Sequence, residues 1–479
     1  MVSDDHRSII DERYLDSLFP VPTLPPSSLS PQRFPGTSVE SVAALQDVLK
    51  DNHKRWHIFF NHRKFHNHIN HRALALYALG ASGTSIRKFY DLDCKKQRPA
   101  IETPEAITTA NFVDHLGDEK YYKGYATFFN EEIDTKGAPQ VLEEYVFSDK
   151  FQYQEGASNH PELLARLTSG VMHSMIHVGY GLEFGLKGMI VEGLALCAVE
   201  DPDVKGFYPP SFFSGEPGNL EETTQLLSSL KLDGKSLGKV GSTHAFDVIA
   251  RMLKDDHLKV DGVPSSAQVV IRAHGARVRQ YAAQWTIDTS KPGEIERKLE
   301  ELIWTASVIY AVGGYDEEKG FAAEFFLMHI VTSSLFLPSV IANLSPRSQE
   351  LLLRAYLQTI LTWWVARGRP ALNIKSFMTS TPTEPASADK KPISNPFLPI
   401  IQSTIVHPDD HLPKIQRAFA HYSTLFGTKP AGYHKDTELE DAELLDGSLF
   451  VRAAVLTDQY MDSKKGETIF FWHMNGFFE

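Results

Sequence analysis

Two histidines four residues apart are the first feature of this sequence with the spacing of a chemical site. His173 and His177 lie in "GVMHSMIHVGYG" (170–181), an apolar stretch with helical periodicity. Residues at i and i+4 share one face of a helix, so both rings could bind one metal ion. Hydrogen bonds inside a protein core could satisfy two buried imidazoles equally well. No glutamate follows His173, so the pair is not the HExxH motif of zinc proteases.

A second group of histidines stands where another helix begins. The stretch "FFNHRKFHNHINHRALALYALGAS" (59–82) contains four of them: His62, His66, His68 and His71. His68 and His71 lead directly into the apolar run, which predicts that they lie at the buried end of the group. Three histidines accompany lysines and arginines, which indicates a solvated surface: His53, His57 and His62.

A third apolar segment carries a single histidine. His329 lies in "AAEFFLMHIVTSSLF" (322–336), where it is either a structural core residue or a further metal ligand. Glu324 is either an exposed charge on that helix or a residue that orients a ligand. If one histidine of the second group joins His329 and the first pair, an all-nitrogen site without cysteine suits iron, copper or zinc. Four neutral ligands leave the charge of the metal uncompensated, so a further anionic ligand is expected.

The segments that must position these histidines are helical almost throughout. Apolar residues recur at i, i+3 and i+4, and strict alternation is confined to the short "YVF" near residue 145 and "ETIFFW" near 467. The fold class is therefore predicted as mainly α, a large irregular multi-helix assembly. A first helix is expected near 38–51, and Gly80 is placed to end the helix of the second group. The glycines within 161–200 predict two helices that meet at a break.

Stretches rich in proline and serine divide the chain. Residues 1–37 are predicted to form an extended N-terminal arm, because "PVPTLPPSSLSPQRFPG" (20–36) excludes helix and central strand. Residues 38–479 are expected to form one large helical catalytic unit. That unit can divide into two lobes, 38–235 and 236–479. Two further polar stretches predict long surface loops: 379–397 and 427–441.

The composition excludes several classes of partner. A chain of 479 residues with a net charge of −12 lacks the basic surface that nucleic acid requires, and anionic lipid headgroups repel it. No apolar stretch approaches the roughly 18 residues that span a bilayer, and the charged N-terminus lacks the apolar centre of a secretory signal. Cys94 and Cys197 fit no disulfide or zinc-ribbon spacing and are expected as buried thiols. We expect a cytoplasmic protein that binds neither membranes nor nucleic acid.

Three of these blocks resemble the questin oxidase-like family. The resemblance is carried by "FHNHINHRALALYALGAS", "HSMIHVGYGLEFG" and "HIVTSSLFLP", in the family's order, and it extends from about residue 40 to the C-terminus. Distant members keep an Asn-His pair that falls on Asn67 and His68. The resemblance therefore selects His68 over the other histidines of its group. The remaining family histidines fall on His173, His177 and His329.

The same resemblance implies an activity and a cofactor. Members of the family are implicated in oxidative opening of the central ring of anthraquinones and related fungal polyketides, in some pathways as a Baeyer–Villiger oxidation. The resemblance implies Fe(II) held by the four histidines and O2 as co-substrate. It also implies a carboxylated lysine as the anionic ligand, and the matching residue is Lys375 in "PALNIKSFMTS".

Four functional hypotheses remain open from the sequence. The first is a non-haem iron oxygenase that cleaves a ring carbon–carbon bond of an anthraquinone-type substrate. Tyr180 and Glu183, one and two turns beyond the histidine pair, are its candidate bases. The second is an NADPH-dependent Baeyer–Villiger-type monooxygenase, although no flavin or nicotinamide fingerprint is present. The third is a zinc hydrolase or lyase at the same site, and the fourth is a non-catalytic helical protein that binds flat aromatic molecules.

Overall fold

Helices make up most of the chain in the computed structural model, which confirms the mainly α class. The structure describes residues 12–154, 156, 159–214, 243–260, 266–385, 393–465 and 471–477. Its α-helices are Val39–Arg55, Ile69–Ala78, Gly83–Cys94, Tyr122–Lys136, Ala138–Val141, Leu163–Phe184, Lys187–Val199, Pro210–Phe213, Ala245–Leu253, Ala267–Ala282, Glu294–Ala311, Phe325–Ser334, Leu337–Ile341, Pro346–Ala366, Ile374–Ser380, Phe397–Val406, Leu412–Phe426 and Ser448–Ser463. Residues 12–18 are also helical.

Other regular structure is sparse among the described residues. Four 3₁₀ turns are Glu119–Tyr121, Asp149–Phe151, Asp256–Leu258 and Ala442–Leu444, and one hairpin pairs Tyr315–Asp316 with Gly320–Phe321. The alternation at "YVF" is not a strand, because Leu142–Phe147 forms a π-helix whose Tyr145 ring packs against Phe112 and Phe151. Burial of three consecutive side chains is incompatible with the two-sided strand that the alternation predicts. Most of "ETIFFW" lies outside the described residues.

The chain divides into two compact units whose segments alternate along the sequence. The first unit comprises Met1–Asp201, Leu335–Leu344 and Ile401–Arg417. The second comprises Pro202–Ser334, Ser345–Ile400 and Ala418–Glu479. The boundary between lobes that the sequence places at 235/236 falls outside the described residues.

Two buried helices form the centre of the first unit. Leu163–Phe184 and Lys187–Val199 are separated at Gly185, whose φ of +67° only glycine adopts easily, so the predicted break is confirmed. The helices pack closely because Gly193 faces Val178, where a Cβ atom would lie 2.7 Å from the valine side chain. Gly80, with φ +80°, follows the end of Ile69–Ala78 as predicted.

The helix Leu163–Phe184 is interrupted one residue before its first histidine. Gly170, Val171 and Met172 have φ angles of +54°, +57° and +63°, in the left-handed region. This conformation costs ~1–2 kcal/mol for each residue that carries a Cβ atom, and valine is a rare occupant. The interruption turns the carbonyl of Gly170 onto the ring of His173, with 2.6 Å between the oxygen and Nδ1. Backbone strain is thus concentrated beside a residue with metal-binding chemistry.

Two expectations about burial and membranes can be compared with the structure. Among the described residues, no helix has the length and apolar character needed to cross a bilayer. Cys197 is buried, as predicted, but Cys94 is only half-buried at the end of Gly83–Cys94.

The packing of Gly179 gives a test of the fold. A Cβ atom at this position would lie 2.3 Å from Cβ of Phe336, within the first unit. We expect Gly179→Ala to lower the free energy of unfolding by about 1–3 kcal/mol, because neither backbone can move away. The measurement is urea unfolding followed by far-ultraviolet circular dichroism. Gly275→Ala is the matched control: its nearest contact is the Ile271 side chain at 3.3 Å, and alanine favours the helix. Equal effects of the two substitutions would contradict the packing.

Candidate metal centre

A short hydrogen-bonded turn places His68 at the start of its helix. The side-chain oxygen of Asn67 accepts from the backbone N–H of Ile69 at 3.0 Å, and its amide donates to Asn52 at 2.9 Å. Asn67 is therefore fixed on both sides, and His68 follows it as the first residue of the helical turn. The Asn-His pair that the family resemblance singled out has a structural reason here.

A capped helix brings a second segment to the same place. Asp409 accepts from the backbone N–H groups of His411 and Leu412, both at 2.9 Å, and so caps the helix Leu412–Phe426. The adjacent Asp410 is buried and lies against His68, 342 positions away in sequence. The stretch "HPDDHLPK" (407–414) thus contributes acidic and imidazole groups to the histidine cluster.

His68 lies between a carboxylate and a second imidazole. Its Nδ1 is 3.0 Å from Oδ2 of Asp410, and its Nε2 is 2.7 Å from Nε2 of His173. Burial holds the pKa of His68 well below its usual range, and the charge of Lys414 lowers it further. Burial would raise the pKa of Asp410, but His411 and His68 outweigh that effect and hold it well below its usual range. The cluster therefore contains a neutral imidazole beside an ionised carboxylate.

With both imidazoles neutral, the protons of these groups cannot satisfy every contact. His173 directs Nδ1 to the carbonyl of Gly170, so its proton is on Nδ1 and its Nε2 carries a lone pair. If His68 donates from Nδ1 to Asp410, two lone pairs face each other across 2.7 Å. If His68 donates from Nε2 instead, its Nδ1 lone pair faces an ionised carboxylate. In the first case a metal ion bound to Nε2 of both rings would use the two lone pairs and remove the repulsion.

His71 and His177 form a second pair of contacting histidines, and His177 also contacts a carboxylate. His177 Nε2 lies 2.8 Å from Oε2 of Glu192, and His177 Nδ1 lies 3.0 Å from Nε2 of His71. Burial opposes the charge on Glu192, but hydrogen bonds from His177 and His53 hold its pKa at about 2. His177 thus donates to Glu192 and accepts from His71. The remaining nitrogen of His71, Nδ1, is buried and finds no hydrogen-bond partner among the described residues.

The rings form a compact stack. His66 lies parallel to His173 with 4.0 Å between ring centres, and its Nε2 is 2.8 Å from Glu200. His71 lies 5.8 Å from His68 and 6.3 Å from His173, again between ring centres. We call this set the histidine cluster: His66, His68, His71, His173 and His177. Three of its members each contact a carboxylate of their own, which fixes ring orientation in the way that metal-binding histidines require.

A carboxylate and a further imidazole meet His68 at the edge of the histidine cluster. The ligand atoms of His68, Asp410 and His411 lie within 4.8 Å of one another. His411 Nδ1 is 2.9 Å from Asp410 Oδ1, the oxygen that His68 does not contact. Two histidines and one carboxylate are the ligand set of many non-haem iron oxygenases. The residues on either side of His68 therefore fit a divalent transition metal.

Lys414 is the cationic group of this region. Its side chain is 2% exposed, and its Nζ has no hydrogen-bond partner within the part of the chain that the structure describes. Burial lowers its pKa to about 8 although Asp410 opposes the shift. Its charge lowers the pKa of both His68 and His71.

The two predicted bases are buried one turn apart on the helix of His177. Tyr180 stacks against His71 with 5.3 Å between ring centres, and burial raises its pKa. Glu183 forms an ion pair with Arg417, and burial raises its pKa despite that partner. Tyr180 therefore keeps its proton near neutral pH, whereas Glu183 is the better proton acceptor.

The remaining predicted ligands belong to the second unit. His329 is fully buried and its Nδ1 lies 2.8 Å from the carbonyl of Phe325. Glu324 is also buried and pairs with Arg367 at 2.7 Å, so its interpretation as an exposed charge is wrong. Lys375 is exposed in the short helix Ile374–Ser380. The roles of His329 and Lys375 as metal ligands stay predictions.

Sequence reasoning placed one histidine wrongly and overlooked several groups. His57 is buried rather than solvated, because both of its nitrogens are hydrogen-bonded: Nδ1 to Arg98 at 2.8 Å and Nε2 to the Glu119 carbonyl at 3.2 Å. The overlooked groups are Glu192, Glu200, Asp410, His411 and Lys414. The sequence could have indicated Asp410, His411 and Lys414, because titratable residues are dense in "HPDDHLPK" just before an apolar helix.

Comparison with known proteins identifies the family to which this chain is similar. The model of the questin oxidase-like family matches residues 65–419. The chain is 29% identical over 396 residues to the Baeyer-Villiger oxidase ptaJ of Pestalotiopsis fici, covering 79% of this chain and 80% of that protein. It is 26% identical over 390 residues to the questin oxidase of Aspergillus terreus, with 79% and 80% covered. It is 28% identical over 414 residues to the Baeyer-Villiger monooxygenase AacuH of Aspergillus aculeatus, with 82% and 80% covered.

The chain belongs to the questin oxidase-like family and is an oxidoreductase of the oxygenase type. This membership confirms the resemblance seen in the three histidine-bearing blocks. The zinc hydrolase or lyase and the non-catalytic aromatic binder are therefore not retained as functions.

The opposed lone pairs of His68 and His173 give a stability test. In metal-free protein we expect His173→Phe to change the free energy of unfolding by less than about 1 kcal/mol, because relief of the repulsion offsets the lost hydrogen bond to Gly170. The new ring can keep the stack on His66. Added Fe(II), under anaerobic conditions, should raise the thermal midpoint of the parent and leave that of the variant unchanged.

His57→Phe is the matched control for this test. It removes an equally buried imidazole whose nitrogens are fully satisfied, so we expect a loss of about 1–3 kcal/mol and a normal response to Fe(II). A loss for His173→Phe as large as that for His57→Phe would contradict the lone-pair argument.

Proposed function

We propose that this protein is a non-haem iron oxygenase that oxidatively cleaves a ring carbon–carbon bond of an anthraquinone-type polyketide in fungal secondary metabolism. The observation that supports it most strongly is His68, a neutral buried imidazole between an ionised carboxylate and a lone pair of His173. The names of its relatives, questin oxidase and Baeyer–Villiger oxidase, support the substrate class and the oxygen chemistry.

The residues best suited to hold the ion are those with a lone pair directed into the cluster. These are His68, His173 and His71, the last through its unpartnered Nδ1. The family resemblance implies His177 and His329 as ligands beside His68 and His173, and both stay predictions. Fe(II) bound there supplies a centre that binds and activates O2. Glu192 and Asp410 hold protons at defined ring nitrogens, which keeps the opposite nitrogens available as ligands.

The anionic ligand is better sought at Lys414 than at Lys375. A carbamate forms when the lone pair of a neutral amine bonds to the carbon of CO2 and one amine proton leaves. With its pKa at about 8, roughly a tenth of Lys414 is neutral at pH 7, and burial shields the product from water. The exposed Lys375 has no such environment. We therefore propose Lys414 as the carboxylated lysine and retain Lys375 as the competing assignment.

An NADPH-dependent Baeyer–Villiger-type monooxygenase is the second candidate. Two relatives, a Baeyer-Villiger oxidase and a Baeyer-Villiger monooxygenase, favour the Baeyer–Villiger reaction. The two reactions differ in their demand for electrons, because insertion of a single oxygen atom requires two electrons from an external reductant. Oxygen uptake with and without NADPH separates them.

The iron centre predicts a specific effect of one carboxylate. We expect near-stoichiometric iron in protein purified anaerobically, and oxygen uptake when a hydroxyanthraquinone is added. Asp410→Asn should lower iron affinity by about 10–100-fold. The amide oxygen that replaces the carboxylate is uncharged, so it is a weaker acceptor for the hydrogen bond from His68 Nδ1. The measurements are plasma mass spectrometry and an oxygen electrode.

Asp255→Asn is the control for this substitution. Asp255 is an equally buried carboxylate, but it serves Arg277 and Tyr281 in the second unit. This variant should lose stability and keep its iron. Protein without iron that still consumes O2 with substrate would refute the iron assignment.

The two lysines give opposite predictions. Labelled bicarbonate should produce a carbamate carbon signal in nuclear magnetic resonance spectra of the parent and of Lys375→Met. Lys414→Met should lack the signal, because the reactive amine is removed and a neutral side chain fills its buried site. It should also bind less iron. A signal lost only in Lys375→Met would restore the sequence-based assignment.

A further inference from the structure

A second buried polar group adjoins the histidine cluster, and the iron chemistry above does not use it. Arg417 is 1% exposed and donates from Nη2 to Oε1 of Glu183. Its guanidinium carbon lies 6.0 Å from the ring centre of Tyr180 and 5.4 Å from that of Phe184. The helices Leu163–Phe184 and Leu412–Phe426 supply these side chains, and all of them belong to the first unit.

The group has more hydrogen-bonding capacity than its own members use. Nε and Nη1 of Arg417, the hydroxyl of Tyr180 and Oε2 of Glu183 are buried, and in the described ranges of the chain none makes a hydrogen bond of good geometry, although Arg417 and Tyr180 are close enough to interact. Three of these atoms are donors and one is an acceptor. Buried polar atoms are almost always paired in folded proteins, so this concentration requires an explanation. An oxygen-bearing ligand that accepts from the donors and gives a proton to the acceptor provides one.

The surroundings indicate a flat ligand. Tyr180 is stacked between the histidine cluster and an aromatic wall: its ring centre is 5.3 Å from that of His71 and 4.4 Å from that of Phe336. The guanidinium of Arg417 lies over two aromatic rings. A stacked guanidinium directs its N–H donors along its own plane, where a ligand oxygen can accept from them. A planar aromatic molecule that reaches from this group to His71 would carry an oxygen at one end and its reacting carbons near the cluster.

We propose that Arg417, Tyr180 and Glu183 form a binding site for an ionisable hydroxyl of a flat aromatic ligand, which they hold as its phenolate. The inference rests on the proposed function for the identity of the ligand, a hydroxyanthraquinone. On binding, the phenol O–H bond breaks and its proton bonds to Oε2 of Glu183. The electron pair stays on the ligand oxygen, which accepts from Tyr180 and from the free N–H groups of Arg417. The charge of the site is unchanged, because one carboxylate is neutralised as one phenolate appears.

The electrostatics of the three residues agree with these roles. Burial raises the pKa of Glu183 even with Arg417 as its partner, which favours acceptance of a proton. The hydroxyl of Tyr180 is a donor of the group that faces the ligand oxygen. The sequence offered Tyr180 and Glu183 as alternative bases for the substrate; the geometry assigns them different functions in one site.

The test measures binding rather than turnover. Iron-free protein is titrated with 1,8-dihydroxyanthraquinone and, separately, with 9,10-anthraquinone, which lacks hydroxyls, and the visible spectrum of the bound dye is recorded at fixed pH. The parent should bind the hydroxylated dye about tenfold or more tightly than anthraquinone and show the red-shifted phenolate band. Tyr180→Phe, which keeps the ring on His71, and Arg417→Lys, which keeps a cation for Glu183, should each remove most of that preference. Glu183→Gln should remove the phenolate band.

Tyr310→Phe and Arg251→Lys serve as matched controls. Both alter buried residues of the second unit whose groups are paired, Tyr310 with Thr457 at 3.0 Å and Arg251 with Gln284 at 2.6 Å. Both controls should keep the parent's preference. Equal affinity of the parent for the two dyes, or an undiminished preference in Tyr180→Phe, would overturn the proposal.

The outcome is separable from that of the proposed function. Phenolate binding that depends on Tyr180 and Arg417, in a protein that consumes no oxygen, would support the binding site and refute the oxygenase. Oxygen consumption by a parent without hydroxyl preference would do the reverse.

Discussion

The contact between His68 and His173 is the constraint on which the rest of the centre depends. Two imidazoles with their outer nitrogens committed to oxygen acceptors cannot approach to 2.7 Å through Nε2 without a proton or a metal between them. Burial disfavours the proton on His68. The surrounding chain therefore has to supply enough fixed structure to hold a repulsive arrangement in the absence of the cation.

That structure comes from elements far apart in sequence. Asn67 fixes the turn before His68, and Asp409 caps the helix that follows Asp410. The left-handed run at Gly170–Met172 turns a carbonyl onto His173 and sets its tautomer, at the expense of backbone strain. Each of these three features fixes the position of one segment of the centre. Strain of this kind persists only where close packing over-determines the backbone, which the tight approach of Leu163–Phe184 and Lys187–Val199 provides.

The sequence was sufficient for the features that depend on local patterns. Helical periodicity predicted the fold class, glycines predicted the break at Gly185 and the helix end at Gly80, and spacing singled out His173 and His177. It could not predict that Asp410 lies beside His68, because 342 positions separate them and no local signal links the two. The burial of His57 was missed for the same reason: charged neighbours indicated solvent, while a distant arginine and a carbonyl satisfy both nitrogens. Burial depends on contacts between segments that are far apart in the chain, and these contacts cannot be inferred from a single sequence.

Carboxylates are more numerous at the centre than four neutral ligands led us to expect. Besides the anionic ligand expected from the sequence, the structure pairs His66 with Glu200, His68 with Asp410 and His177 with Glu192, at 2.8, 3.0 and 2.8 Å. Carboxylates that are hydrogen-bonded to metal-binding imidazoles compensate the charge of the metal and make the imidazoles more basic ligands. Because they contact the rings and not the ion, they would leave positions on a bound ion free for oxygen. The buried guanidinium of Arg417 contributes the opposite charge and favours an anion beside it. A site of this charge pattern is suited to an electron-rich, deprotonated aromatic substrate, the form in which such a molecule most readily gives electrons to oxygen.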